Sequence, residues 1–236
     1  MAVKRFIRER ADRATLIDEV KGVLLDGSPK RMKRYRKSGL ETVDDFLRFF
    51  MSLGNMAFHS GDPEVIGRFL GSLFELAGSG KLDGDEVVGR IRYYGLRSIH
   101  GFDYNSFALI LESFVGYVRG LRETVRVNSC LGVLRSLALR SVSEGFDAGV
   151  GGLVDVLVRL DDHFMVESLH VNRYYLRNLV ISLVCFAGRS GDESLRGRII
   201  ADAGGILGVV EARPPAVDAA SAPVSEEVAG PPSPVG

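Results

Sequence analysis

One small turn, used four times, constrains this chain more than any other feature. Ser60-Gly61-Asp62, Gly101-Phe102-Asp103, Gly145-Phe146-Asp147 and Ser190-Gly191-Asp192 each place an aspartate one or two residues after a glycine. Glycine takes the left-handed conformation that closes an α-helix. The aspartate then accepts hydrogen bonds from the free N–H groups that open the next one. On both sides of every turn, apolar residues recur at helical spacing. Segments 43–59, 85–100, 125–144 and 168–189 precede the turns, and 63–77, 104–120, 148–161 and 193–210 follow them. His59, His100 and Arg189 stand in the last turn before a stop, where the helix dipole favours a cation; Glu144 has the opposite sign.

The turn glycines are 40, 44 and 46 residues apart, so the repeating unit is a pair of helices. Two echoes fit this period. Val127-Asn128 returns one period on as Val171-Asn172, and Arg92-Tyr93-Tyr94 close to two periods on as Arg173-Tyr174-Tyr175. No run of two-residue alternation bounded by turns predicts a strand. Six of the eight prolines lie in 214–236, and neither Pro29 nor Pro63 interrupts a periodic segment. Glycine pairs at GxxxG spacing (67/71, 116/120 and 204/208) fit close packing between helices.

Period, pairing and turn chemistry together make the stretch from residue 40 to 210 resemble the HEAT and armadillo class of helical repeats. The resemblance is architectural and carries no functional residue onto this chain. It implies an all-α fold, a right-handed α-solenoid of about four antiparallel helix pairs preceded by an N-terminal helix. Residues 1–38 form the N-terminal helix and a basic linker, 39–211 the helical-repeat domain, and 212–236 a disordered Pro-rich tail without aromatics or periodicity.

Net charge is zero, but its distribution is uneven. Residues 1–38 hold twelve Lys/Arg and five Asp/Glu, leaving the remainder at −7. The density peaks in Lys30-Arg31-Met32-Lys33-Arg34-Tyr35-Arg36-Lys37, which has no acid. Such a run offers counter-charge to phosphate or to an acidic partner, through Lys30, Arg31, Lys33, Arg34, Arg36 and Lys37. The bland alternative is a solvated linker, or an arm folded onto the protein's own acidic surface. Lys4, Arg5, Arg8, Arg10 and Arg13 would assist it from the first helix.

Signatures of chemistry are sparse. Gly78 to Asp85 reads GSGKLDGD, but Glu75 and Leu82 occupy positions where a phosphate loop needs Gly and Ser/Thr. The stretch also lacks the calcium-loop ligand series, so a turn between units is expected. His163, Glu167 and His170 would share one face of a continuous helix and could then hold zinc or iron. That segment also marks the expected break between units, where Asp161 or Asp162 would serve as an N-cap. Cys130 and Cys185 both sit in apolar helical patterns and read as small buried hydrophobes in a reducing, cytoplasmic setting. The longest apolar stretch, 179–187, is about half of the roughly 20 residues that a membrane span needs.

The sequence therefore predicts a non-enzymatic protein-binding scaffold without cofactor, its protein or peptide partner lying on the repeat surface. The alternative is a nucleic-acid-binding protein using the basic arm, and the third reading an enzyme whose site is not visible. A scaffold predicts an apolar or acidic exposed groove. A nucleic-acid binder predicts that the arm's charge continues onto one face of the helices, and an enzyme a deep pocket with convergent polar groups.

Overall fold

A computed structural model describes residues 12–208. Helix α1 spans Arg13–Asp26 and α2 Pro29–Lys33, and a single 3-10 turn follows at Arg36–Ser38. Then come helices in pairs: α3 (Val43–Ser60) with α4 (Pro63–Gly78), α5 (Gly84–His100) with α6 (Tyr104–Gly120), α7 (Thr124–Ser143) with α8 (Asp147–Val166), and α9 (His170–Arg189) with α10 (Glu193–Asp202). A short α11, Gly204–Leu207, ends the described chain. Among the described residues there is no strand, and no helix is long and apolar enough to cross a membrane. The expected tail at 212–236 lies outside the described residues, as do Lys4, Arg5, Arg8 and Arg10.

Helix α5 packs on α7, and α7 on α9. Helix α4 likewise packs on α6, α6 on α8, and α8 on α10. From α5 onward, the first helices of successive pairs therefore pack in one row, and the second helices from α4 onward in another. The periodic residues are what this packing buries: Leu16, Ile17 and Val20 of α1, Phe46, Phe50 and Leu53 of α3, and Ile66, Phe69, Leu70 and Leu73 of α4. Each such side chain contributes about 1.5–3 kcal/mol. All belong to one core that runs from Leu16 to Ile206. Helix α1 joins it by packing on both α3 and α4.

Short-range chemistry sets the helix starts. Asp62, Asp83, Asp103 and Asp192 each accept a backbone N–H at the start of α4, α5, α6 and α10. Thr42 and Asp45 form a reciprocal capping box on α3. Gly84 and Asp85 fall in the first turn of α5, so the GSGKLDGD stretch is a turn between pairs.

The two Gly-Phe-Asp triplets are not equivalent. Gly145 is left-handed with φ +68°, as expected, and so are Gly61 and Gly191. Gly101 is not: its φ is −85°, and Phe102 takes the left-handed position at φ 51°. Asp103 caps α6 through the Ser106 amide, whereas Asp147 lies inside the first turn of α8 and caps nothing. The turns align when Phe102 is matched with Gly145. Asp103 N–H then bonds the Ser98 carbonyl at 2.9 Å just as Phe146 N–H bonds that of Ser141 at 2.8 Å. The identical triplets are therefore one residue out of phase.

The echoes also fall on different faces. Val127 is buried and Val171 exposed; Tyr94 is buried, while Tyr174 and Tyr175 are both exposed. Cys185 is exposed, contrary to expectation, and only Cys130 is a core residue. Helix α8 runs through Asp161 and Asp162 to Val166, so neither residue is an N-cap. Asp161 is instead buried inside the helix, accepting two bonds from the Arg173 guanidinium at 2.7 and 3.1 Å. Helix α10 stops at Asp202, short of the expected 210.

Close helix approach uses glycines other than the GxxxG pairs. A Cβ on Gly54 would lie 2.2 Å from the Phe69 ring, and one on Gly95 2.7 Å from Leu137. Gly67, Gly71, Gly116 and Gly120 would meet nothing within 4 Å. They line an open groove between α4 and α6 instead of a packed contact.

Candidate functional site

The basic run is a folded element pinned by its apolar residues. Met32 is buried, and the Tyr35 ring meets Phe46 edge-on at 5.5 Å. Proline at the first helical position starts α2. These contacts hold the run against the N-terminal end of α3, where Met32, Lys33 and Arg36 line a groove with Thr42 and Val43. Arg31 reaches Asp26 at 3.7 Å and Arg36 reaches Glu41 at 3.5 Å. Lys30, Lys33, Arg34 and Lys37 are exposed and have no charge partner among the described residues.

Beyond α3 the two rows differ in charge. Helices α7 and α9 each carry three arginines and no acid; α5 carries three arginines and two acids, Asp85 and Glu86. In the second row, α8 alone has four aspartates against one arginine, and α4, α6 and α10 are neutral or acidic. The first-row helices contain no lysine. Arginine's planar fork matches phosphate bidentately and stacks on flat rings, which an ammonium does not.

The arginines are also used differently. Second-row arginines bind the fold together. Arg68 pairs with Asp18 at 2.8 Å, Arg198 with Asp147 at 2.8 Å, and Arg159 takes both oxygens of Glu112 at 2.8 and 3.1 Å. Donating these hydrogen bonds to the Glu112 carboxylate raises the Arg159 pKa above its ordinary value. In the first row, Arg90, Arg126, Arg140 and Arg173 have acid partners. Glu144, the residue of unexpected sign at a helix end, is thereby matched by Arg140 and by His100 at 3.5 Å. Arg92, Arg135, Arg177 and Arg189 are exposed and have no acid partner among the described residues.

Two grooves open between these helices. One lies between α7 and α9 and is lined by Asn128, Leu131, Gly132 and Arg135 on one wall and Tyr175, Asn178, Leu179 and Ser182 on the other. The second holds Arg92, Leu96 and His100 of α5, Ser136 and Arg140 of α7, and Phe186 of α9. No acid lines either groove. A third, between the N-terminal halves of α3 and α5, sets Asp44 and Glu86 beside Arg48 and Arg90. Asn55, also in its lining, accepts a hydrogen bond at 3.1 Å from Tyr94, whose ring stacks on Phe58 at 4.1 Å.

His163 lies in the last turn of α8, Glu167 is its C-cap, Ser168 is left-handed at φ 57°, and His170 begins α9. The three thus span a turn, and Glu167 is paired with Arg122 at 3.4 Å. Among the described residues, no group of three or more His, Cys, Asp or Glu is placed to hold a metal ion. Burial pushes the Cys130 thiol up to about 12 and the Tyr94 hydroxyl up to about 12, so both are neutral core groups at pH 7.

No family model, curated protein or solved structure matches this chain. The arginine row escapes a reading of whole-chain charge, because acids elsewhere in the chain offset it. Counting charge helix by helix over 125–144 and 168–189 would have exposed it, since neither inner stretch between the capping acids holds an acid.

Proposed function

We propose that this chain is a non-enzymatic binding module, a right-handed α-solenoid of the HEAT and armadillo kind, whose first-helix row binds nucleic acid. One observation carries the reading: exposed arginines without acid partners concentrate in α5, α7 and α9, while four of the five second-row arginines are in ion pairs and the fifth, Arg119, donates to the Arg159 carbonyl. A cation already matched by a carboxylate gains little from a phosphate. An unmatched one gains by releasing the polymer's condensed counterions. The basic run, held at the start of α3, adds Lys30, Lys33, Arg34 and Lys37 at one end of the same row.

Fluorescence anisotropy with labelled oligonucleotides at about 50 and 200 mM salt tests this. If about six to eight of these cations reach phosphates, the log–log salt slope on a single strand is about −4 to −6. Changing Arg92, Arg135, Arg177 and Arg189 to Gln should flatten the slope by about 3, and changing Lys30, Lys33, Arg34 and Lys37 to Ser by a comparable amount. Absence of binding to both single- and double-stranded probes removes the reading.

A protein partner on the repeats is the second reading, and the α4–α6 groove favours it. Gly67, Gly71, Gly116 and Gly120 leave backbone open beside Phe74 and Tyr117, whose rings stack at 4.8 Å. Under that reading, Gly71→Glu with Gly116→Glu abolishes capture of a defined protein partner and spares oligonucleotide binding.

A further inference from the structure

We infer that the first-helix row takes its nucleic acid as a single strand, with the α7–α9 groove as a nucleotide site: Arg135 on the phosphate, Tyr175 against the base, and Asn178 and Asn128 at the base edge. This rests on the nucleic-acid reading above and adds to it the state of the strand and the place where a base is held.

Charge alone does not distinguish a duplex from a single strand, because both present phosphates. Aromatic rings do, because a duplex keeps its base faces stacked inside and a single strand offers them. Three of the four exposed tyrosines lie in the arginine-rich row, Tyr93 at 50%, Tyr174 at 64% and Tyr175 at 46%; the fourth, Tyr104, opens α6. Burial would recover the apolar area of these rings, so their exposure beside unpaired arginines calls for a ligand with flat faces. The Tyr174 and Tyr175 rings are 6.0 Å apart with planes at 72°, so they do not cover one another and present two separate faces. Arg177 and Asn178 stand three and four residues after Tyr174, hence on the adjacent turn of the same helix face.

The groove itself has the other parts. Arg135 enters it without an acid partner, and no carboxylate opposes a phosphate there. Its polar remainder is made of neutral amides and a hydroxyl, Asn128, Asn178 and Ser182. Amides carry both a donor and an acceptor and so match base edges, which phosphate binding does not require. The Asn128 Oδ1 is shut from solvent with no hydrogen-bond partner. Turning that amide toward a base in the groove would satisfy this buried acceptor, which has no partner within the protein.

The test uses the full chain and three labelled probes, oligo(U), oligo(dT) and a duplex, each about 20 nucleotides or base pairs long, in about 50 mM salt. The two single strands separate RNA from DNA as the source. The chain has no tryptophan, so its intrinsic emission reports tyrosine directly. Either single strand should bind at least about tenfold tighter than duplex and quench tyrosine emission. The double variant Tyr174→Ala, Tyr175→Ala should lose about 10- to 100-fold on the single strand and little on the duplex. The corresponding double Phe variant, which keeps both rings, should bind like wild type. Duplex binding as tight as single strand, or an unchanged Ala variant, overturns the single-strand inference and leaves the nucleic-acid reading standing. Failure of all three probes to bind removes both.

Discussion

The two Gly-Phe-Asp turns call for opposite responses to the same substitution. Gly145 sits at φ +68°, where an L-residue brings its Cβ against the carbonyl oxygen. Gly145→Ala should therefore cost about 1–2 kcal/mol. Gly101 sits at φ −85° and ψ −2°, and its added Cβ would approach the Arg97 carbonyl oxygen at 3.4 Å, ordinary van der Waals contact. Gly101→Ala should fall within about 0.5 kcal/mol of wild type, with a small gain if the unfolded chain loses entropy. The aspartates follow the same logic. Asp103→Ala removes a cap, at about 0.5–2 kcal/mol. Asp147→Ala removes only an exposed ion pair with Arg198, at less than about 1 kcal/mol. Urea denaturation of the four variants reads these differences directly. In a thermal scan, Gly145→Ala should lower Tm by about 2–8 °C. Equal costs at Gly101 and Gly145, or a larger cost at Gly101, would refute the one-residue offset between the turns.

Two other substitutions probe the packing and one the pH response. Gly54→Ala should cost about 1–3 kcal/mol by driving a methyl into the Phe69 ring, whereas Gly67→Ala should be neutral or gain up to about 1 kcal/mol of helix propensity; denaturation midpoints decide. The Asp45 carboxylate is held below its ordinary pKa by the Thr42 hydroxyl first and then by the Thr42 and Glu41 amides. A depressed carboxylate stabilises the fold above its unfolded pKa of about 3.9, and the contribution is lost as pH falls through the lower folded value. The Tm gap between wild type and Asp45→Asn should therefore be full at pH 6 and close as pH drops below about 4.

The helices and most of their starts are legible in the chain because their causes are local. Apolar spacing along α1, α3 and α4 names residues that the fold buries, and the turn aspartates at 62, 103 and 192 cap the helices that follow them, though Asp147 does not. These interactions reach at most four or five residues, so a linear reading contains them. The basic run was likewise visible, but not its attachment: Met32 and Tyr35 are pinned by residues of α3 and the core. What packing alone decided lies between residues some forty positions apart. It put Phe102 and not Gly101 in the left-handed position, exposed Cys185, and left the GxxxG glycines facing a groove. It also left Arg92, Arg135, Arg177 and Arg189 of the first row without acid partners, while Arg68, Arg159 and Arg198 of the second row are matched by acids. Periodicity shows that a helix has an apolar face. Only the contacts between pairs determine which helix covers that face, and therefore which charges are left in water without a partner.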